Sequence, residues 1–216
     1  MRLKNIPAAA EAIENSDFCV QAANNNKGHW KDVFLNNNPI EIEIGMGKGQ
    51  FITEMAVRCP RRNFIGIEKY TSVIYRAVQK LEAMGQDAPK NLLLLCEDAA
   101  RLSEIFEPGE ISAIYLNFSD PWPKDRHAKR RLTHRGFLEK YYSLLPEGGI
   151  ITLKTDNENL FDFSIEEINN TPWFDISEIN RDLYKDGPPG ENIPTEYEDK
   201  FSAEGIPIQR LIAKRV

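Results

Sequence analysis

The sequence predicts an α/β protein built on a mostly parallel sheet with helices on both faces. Three observations carry this. Five short runs, IEIEI (40–44), NFIGI (63–67), NLLLL (91–95), AIYLNF (113–118) and GIITLK (149–154), are too short for helices and too β-branched or continuously apolar to be loops. Between them QFITEMAV, SVIYRAVQKLEAM, ARLSEIF and RGFLEKYYSLL carry apolar residues three and four apart, the period of a helix with one buried face. The two kinds of segment alternate along the chain. Right-handed crossovers then place helices on both faces of a parallel sheet.

Taken in order, residues 1–38 are polar, include NNN at 24–26 and again at 36–38, and show only a weak helical pattern around Ala8 to Phe18. They read as an N-terminal extension rather than core, followed by a single domain over 39–216. After the fifth strand a further helix is expected near Asn159 to Asn169. Two extended segments, WFDISEI and PIQRLIAKRV, follow with a long Gly/Pro-rich loop between them, and could close the sheet as a hairpin-like pair.

Composition narrows the class. With 33 Asp and Glu against 27 Lys and Arg the net charge is -6, so a polyanion site must be a local patch rather than the whole surface. Cys19, Cys59 and Cys96 are odd in number and lack Cys-x-x-Cys pairing, as in a reducing cytosol. No run of about 18 apolar residues occurs. A cytoplasmic protein with no membrane association is expected. His29, His127 and His134 share no ligand spacing on a helix face, so no metal is expected.

In open parallel sheets ligands bind at the carboxyl ends of strands. The first end reads Glu43-Ile44-Gly45-Met46-Gly47-Lys48-Gly49, where glycines at alternate positions allow a tight turn and close approach of a ligand to the backbone. An ordinary glycine-rich turn is an equal reading of this segment alone. It is not a P-loop, lacking Ser or Thr after a Gly-Lys at the required place, and Gln50 stands where a dinucleotide fingerprint has its third glycine. Glu68 ends the second strand, roughly 20 residues on, where a carboxylate can accept from a ribose diol. Asp98 follows the third, where it can accept from the exocyclic amine of adenine, and Asp120 follows the fourth. Each acid alone reads as a solvated loop residue; acids at four successive ends suit a neutral adenosyl group with a positive sulfonium better than a pyrophosphate.

After Asp120 the chain becomes basic: Lys124, Arg126, Lys129, Arg130 and Arg131, with His127 among them. Pro121 and Pro123 stiffen the turn that leads there. Trp122 either fills the core or meets a base, and the cations are either a solvated face or a surface for phosphates.

The glycine turn with Glu68 and Asp98 resembles the S-adenosylmethionine site of Rossmann-like methyltransferases. SDPWPKDRHAKRRL (119–132), KTDN (154–157) and TEYEDKF (195–201) are more specific, and with them the chain from Lys27 almost to its C-terminus resembles the bacterial tRNA (guanine-7-)-methyltransferase family. Met46 departs from the smaller residue usual at its turn position. The resemblance implies a seven-stranded, mostly parallel Rossmann-like methyltransferase fold. It implies S-adenosylmethionine at Glu43, Gly45, Gly47, Glu68, Asp98 and Asp120, and catalysis assisted by Asp120. It places Lys124, Asp156, Thr195 and Glu198 on the substrate, and meets tRNA with Lys124, Arg126, His127, Lys129, Arg130 and Arg131. The reaction implied is methyl transfer to nitrogen 7 of a guanosine in the tRNA variable loop, by a monomer or homodimer. The competing readings are methylation of an exocyclic amine, which typically uses an Asn/Asp-Pro-Pro-aromatic turn that Trp122 interrupts here, a non-catalytic RNA-binding protein, and a nicotinamide-dependent oxidoreductase. Asp156 as a helix cap and Thr195 with Glu198 as a plain turn remain equal alternatives on the residues alone.

Overall fold

The computed structural model describes residues 6–185, 190 and 192–216. The start of the extension, residues 1–5, and residues 186–189 and 191 of the Gly/Pro-rich loop lie outside the described residues. The chain divides into two compact units, Met1–Glu107 and Pro108–Val216.

In the first unit, helices α1 (Ala9–Glu14) and α2 (Trp30–Phe34) precede strand β1 (Ile40–Ile44), helix α3 (Gln50–Arg58), strand β2 (Asn63–Ile67), helix α4 (Thr71–Met84), strand β3 (Leu92–Leu95) and the short helix α5 (Leu102–Ile105). β1 pairs parallel with β2, and β2 with β3, in the register Glu43↔Gly66 and Gly66↔Leu94. Every residue of β1 and β2 is buried, as expected for strands covered on both faces. The alternation in IEIEI therefore does not mark a solvent face: Glu41 is buried and its carboxylate takes a hydrogen bond from Arg62 at 2.8 Å. Helix α4 buries Ile74, Ala77, Val78 and Leu81, the three-and-four spacing that sequence required. These residues join Ile52, Ala56, Phe64, Leu92 and Leu94 in one core cluster. Each such side chain contributes about 1.5–3 kcal/mol when fully buried.

The N-terminal segment departs from expectation. Ile13 belongs to that same core cluster, and Trp30 is fully buried, its ring 5.5 Å from Phe106 and its indole N–H donating to the Ile105 carbonyl at 3.0 Å. Residues 18–20 lie beside β3: Leu94 N–H donates to Phe18 O at 2.8 Å and Val20 N–H to Leu94 O at 3.1 Å. The polar composition of residues 1–38 concealed a few widely spaced apolar anchors that no period reveals.

The second unit contains strand β4 (Ala113–Asn117), a 3-10 turn over Asp125–Arg130, helix α6 (Arg135–Leu144), strand β5 (Ile150–Thr155), helix α7 (Glu158–Asn169), strand β6 (Phe174–Asn180), helix α8 (Glu196–Ala203) and strand β7 (Gln209–Arg215). β4 and β5 are parallel, while β7 pairs antiparallel with both β5 and β6. The described residues thus form seven strands, mostly parallel and interleaved with helices, the α/β make-up that the sequence predicted. Helix α8 is the exception. The segment expected to be loop holds a helix opened by a capping box, in which the Thr195 side chain accepts from Glu198 N–H and the Glu198 side chain accepts from Thr195 N–H. Thr-x-x-Glu is the sequence signature of that device.

Among the described residues no helix is long and apolar enough to cross a membrane, and no group of three or more His, Cys, Asp or Glu side chains is placed to hold a metal ion.

Candidate active site

The glycine turn of the first unit rests on β2. Gly45 and Met46 both donate to the Ile67 carbonyl, at 2.8 and 3.1 Å, which draws the loop over the end of the neighbouring strand. Gly45, Gly47 and Gly49 have φ of 76°, 58° and 76°, left-handed conformations that strain other residues. Their surroundings differ. A Cβ on Gly49 would meet Ala77 of α4 at 3.3 Å, whereas a Cβ on Gly45 or Gly47 would meet no atom within 4 Å. Gly49 is needed for helix packing as well as its φ; the other two leave an open, concave backbone. Met46 is buried against Gly66 of β2, whose missing side chain gives the thioether its room.

Glu43, near the end of β1, is almost wholly buried. Glu68 fastens the turn to β2, its two oxygens accepting from Gly47 N–H at 3.3 Å and Tyr70 N–H at 3.1 Å. Burial pushes the Glu68 carboxyl above the ordinary carboxylate range, opposed by those N–H bonds. Asp98 is exposed after β3 and caps the following 3-10 turn, Oδ1 accepting from Ala100 N–H at 2.8 Å. The structure thus brings Glu43, Gly45, Gly47, Glu68 and Asp98 to the carboxyl ends of three adjacent parallel strands. The set fits an adenosyl group: open glycine backbone for close approach, and acceptors for a diol and an amine.

In the second unit Asp120 is exposed just beyond β4, and Asp156 is half-buried just beyond β5, the strand paired with it. Asn157, not Asp156, caps α7 by accepting from Leu160 N–H at 2.9 Å, which leaves the Asp156 carboxylate out of the cap. Phe118 and Trp122 flank Asp120 with φ of 50° and 42°. Non-glycine residues in this region cost about 1–3 kcal/mol each and persist only where the surroundings hold them, a pattern concentrated at functional sites.

Glu198 is fully buried and Thr195 nearly so. Glu198 Oε2 accepts from Lys154 Nζ at 2.6 Å, and Oε1 from the Tyr184 hydroxyl at 2.8 Å and Asn192 Nδ2 at 2.5 Å. Lys154, buried on β5, also donates to Asn192 Oδ1 and the Ile193 carbonyl. Burial, reinforced by the Glu198 carboxylate, raises Tyr184 well above the ordinary tyrosine range. The network ties the start of α8 to β5, the strand just before Asp156. Sequence reasoning missed Lys154, Tyr184 and Asn192, because nothing local announces a pairing 44 residues apart.

The basic run divides. Lys124, Arg126, Lys129 and Arg130 are exposed, and His127 is half-buried with its ring edge-on to Trp122 at 5.8 Å. The Arg130 guanidinium lies 4.8 Å from the Trp122 ring, so Trp122 is neither deep core nor bare surface. Arg131, expected among the phosphate contacts, is instead turned into the protein, where it hydrogen-bonds the carbonyls of Pro121 and Trp122.

Comparison with solved structures gives the fold. The structure described as "Structure of an antibiotic related Methyltransferase" superposes with a TM-score of 0.64 at 14% identity, covering 91% of this chain and 96% of that one. "Crystal Structure of 16S rRNA Methyltranferase KamB" gives 0.64 at 12% identity, covering 87% and 93%. Residues 37–211 match the family model described as "Putative methyltransferase". Fold, glycine turn and acid-lined strand ends together define a Rossmann-like methyltransferase. The tRNA (guanine-N(7)-)-methyltransferase of Lachnoclostridium phytofermentans is 51% identical over 100% of this chain and 99% of its own length, and that of Bacillus subtilis 47% identical over 97% of each. The chain belongs to the tRNA (guanine-N(7)-)-methyltransferase family.

Proposed function

We propose that this protein, working in the cytoplasm, transfers a methyl group from S-adenosylmethionine to nitrogen 7 of a guanosine in the variable loop of tRNA. The observation that carries the reading is identity near one half, along essentially the whole chain, with relatives named for that reaction. S-adenosylmethionine, when bound, supplies an electrophilic methyl group on a sulfonium. Glu43, Gly45, Gly47, Glu68 and Asp98 would hold it, and the open backbone at Gly45 and Gly47 would admit it closely.

Nitrogen 7 of neutral guanosine has an in-plane lone pair and no proton, so no residue need act as a general base. Asp120 is held on a strained, proline-stiffened turn and stabilises the positive charge that develops on the purine ring. The opposite edge of guanine presents two donors, a ring N–H and an amine, and calls for acceptors. Asp156 and the Thr195–Glu198 segment serve there, with Glu198 acting chiefly by holding the segment in place, since its oxygens are taken by Lys154, Tyr184 and Asn192. Lys124, Arg126, His127, Lys129 and Arg130 meet the tRNA.

The test is incubation with methyl-labelled S-adenosylmethionine and unmodified tRNA, followed by nucleoside analysis. Label in 7-methylguanosine is expected, and Asp120→Asn should keep much of the cofactor affinity while lowering kcat by at least about 100-fold, the scale of losing one transition-state charge contact. Label in another nucleoside, or an unimpaired Asp120→Asn, removes the reading.

A further inference from the structure

We propose that Arg131 is a positioning residue that clamps the Asp120 turn, and not one of the tRNA phosphate contacts. The inference rests on the proposed reaction for its kinetic consequence and on geometry for everything else. Arg131 Nε donates to the Pro121 carbonyl at 3.0 Å and Nη2 to the Trp122 carbonyl at 3.1 Å. These are the two carbonyls that follow Asp120 in the chain, and neither belongs to a strand. The other side of the guanidinium packs on Phe163 of α7, 4.3 Å from its ring centre. One planar group therefore spans the turn after β4 and the helix after β5.

The clamp explains how the turn is held. Trp122 sits at φ 42°, a strained conformation for a tryptophan, and a donor fixed to the carbonyl on each side of its N–Cα bond opposes relaxation. Only a rigid fork can serve two adjacent carbonyls at once while stacking on a ring; an ammonium keeps the charge and loses the geometry. The chain after Arg131 is pinned to the same helix. Thr133 Oγ1 accepts from Ser164 Oγ at 2.7 Å, and Arg135 pairs with Glu167 at 2.7 Å. Helix α7 starts immediately after Asp156, capped by Asn157. Arg131 thus connects the carriers of Asp120 and Asp156, the two acids on which the proposed reaction depends.

The test sets Arg131→Lys and Arg131→Ala beside Arg126→Ala. For a clamp, Arg131→Lys should lower kcat by about 10- to 100-fold, the effect of a displacement near 1 Å, with KM for tRNA unchanged. The slope of log binding constant against log salt should stay at the wild-type value in both Arg131 variants, and millimolar ethylguanidinium should restore part of the turnover of Arg131→Ala. A flattening by about 0.7–0.9 in Arg131→Ala, as expected on losing one phosphate contact, or full turnover in Arg131→Lys, would overturn the proposal. If Arg131→Ala does not fold, Phe163→Leu takes its place, and lowered kcat at an unchanged salt slope is again the expected result. A readout free of activity separates this from the functional reading: with 5-fluorotryptophan incorporated, the Trp122 resonance should move in Arg131→Lys and stay in Arg126→Ala. A moved resonance in a chain that does not methylate tRNA would remove the functional reading and keep the clamp; an unmoved one removes the clamp.

Discussion

Replacing Glu198 with Gln keeps the side-chain volume and removes one charge from the interior. Every group facing its two oxygens is a donor: Lys154 Nζ and the Thr195 N–H on Oε2, the Tyr184 hydroxyl and Asn192 Nδ2 on Oε1. Glutamine has one acceptor oxygen and one donor amide, so whichever way it turns, a donor meets a donor. Lys154, itself 3% exposed, loses the negative charge of Glu198. Breaking one side of a buried pair costs about 3–5 kcal/mol, which for a chain of this size lowers Tm by roughly 6–20 °C. Urea unfolding monitored by circular dichroism measures the loss, and a cycle with Lys154→Met supplies the control. The double variant Lys154→Met/Glu198→Gln should lose less stability than the two single losses summed, because no unpaired charge remains buried. A single substitution costing under about 1 kcal/mol, or a double variant in which the losses add, would show that the carboxylate and ammonium do not stabilise each other.

Three further outcomes are expected. Joint replacement of Arg126, Lys129 and Arg130 by Ala should flatten the salt dependence of tRNA binding by about 0.7–0.9 per lost contact and leave S-adenosylmethionine affinity unchanged, as read by filter binding and calorimetry. Tyr141→Phe should stabilise the protein by about 0.5–2 kcal/mol in urea melts, since the hydroxyl is fully buried with no hydrogen-bond partner among the described residues. Hydrogen bonds from Arg135 hold the Glu167 carboxyl below the ordinary carboxylate range. Its contribution is therefore present above that range and lost as pH falls through the lowered value, so Tm of Glu167→Gln should lie below wild type at pH 7 and converge on it in strong acid.

What sequence could reveal follows from where the information lies. β1 and β2 were bounded to the residue because their runs end at Pro, Gly or charge, and β4 ends one residue early because Phe118 already turns left-handed. The place of the acids was legible because residues just after each apolar run fall at the carboxyl ends of parallel strands. Helix α8 was missed: the Gly/Pro-rich stretch before it pointed to loop, although Thr195-x-x-Glu198 carries the signature of a helix start. Other features were not local. Glu198 and Lys154 form a site only after the chain folds, and Arg131 cannot be told from Arg130 by composition, since one faces solvent and its neighbour faces two carbonyls.

The pairing of residues 18–20 with β3 bears on how this protein avoids self-association. β3 is an edge strand that consists of the short apolar segment Leu92-Leu93-Leu94-Leu95. Such an edge is a template for strand addition by another copy. The Phe18 carbonyl and Val20 N–H occupy it at Leu94, so a segment that composition marks as dispensable serves as the guard of the most aggregation-prone edge in its unit. Trimming the chain to its apparent domain start at Pro39 would therefore uncover that edge together with the seats of Ile13 and Trp30. The shortened protein should be lost to precipitation before its catalysis could be assayed.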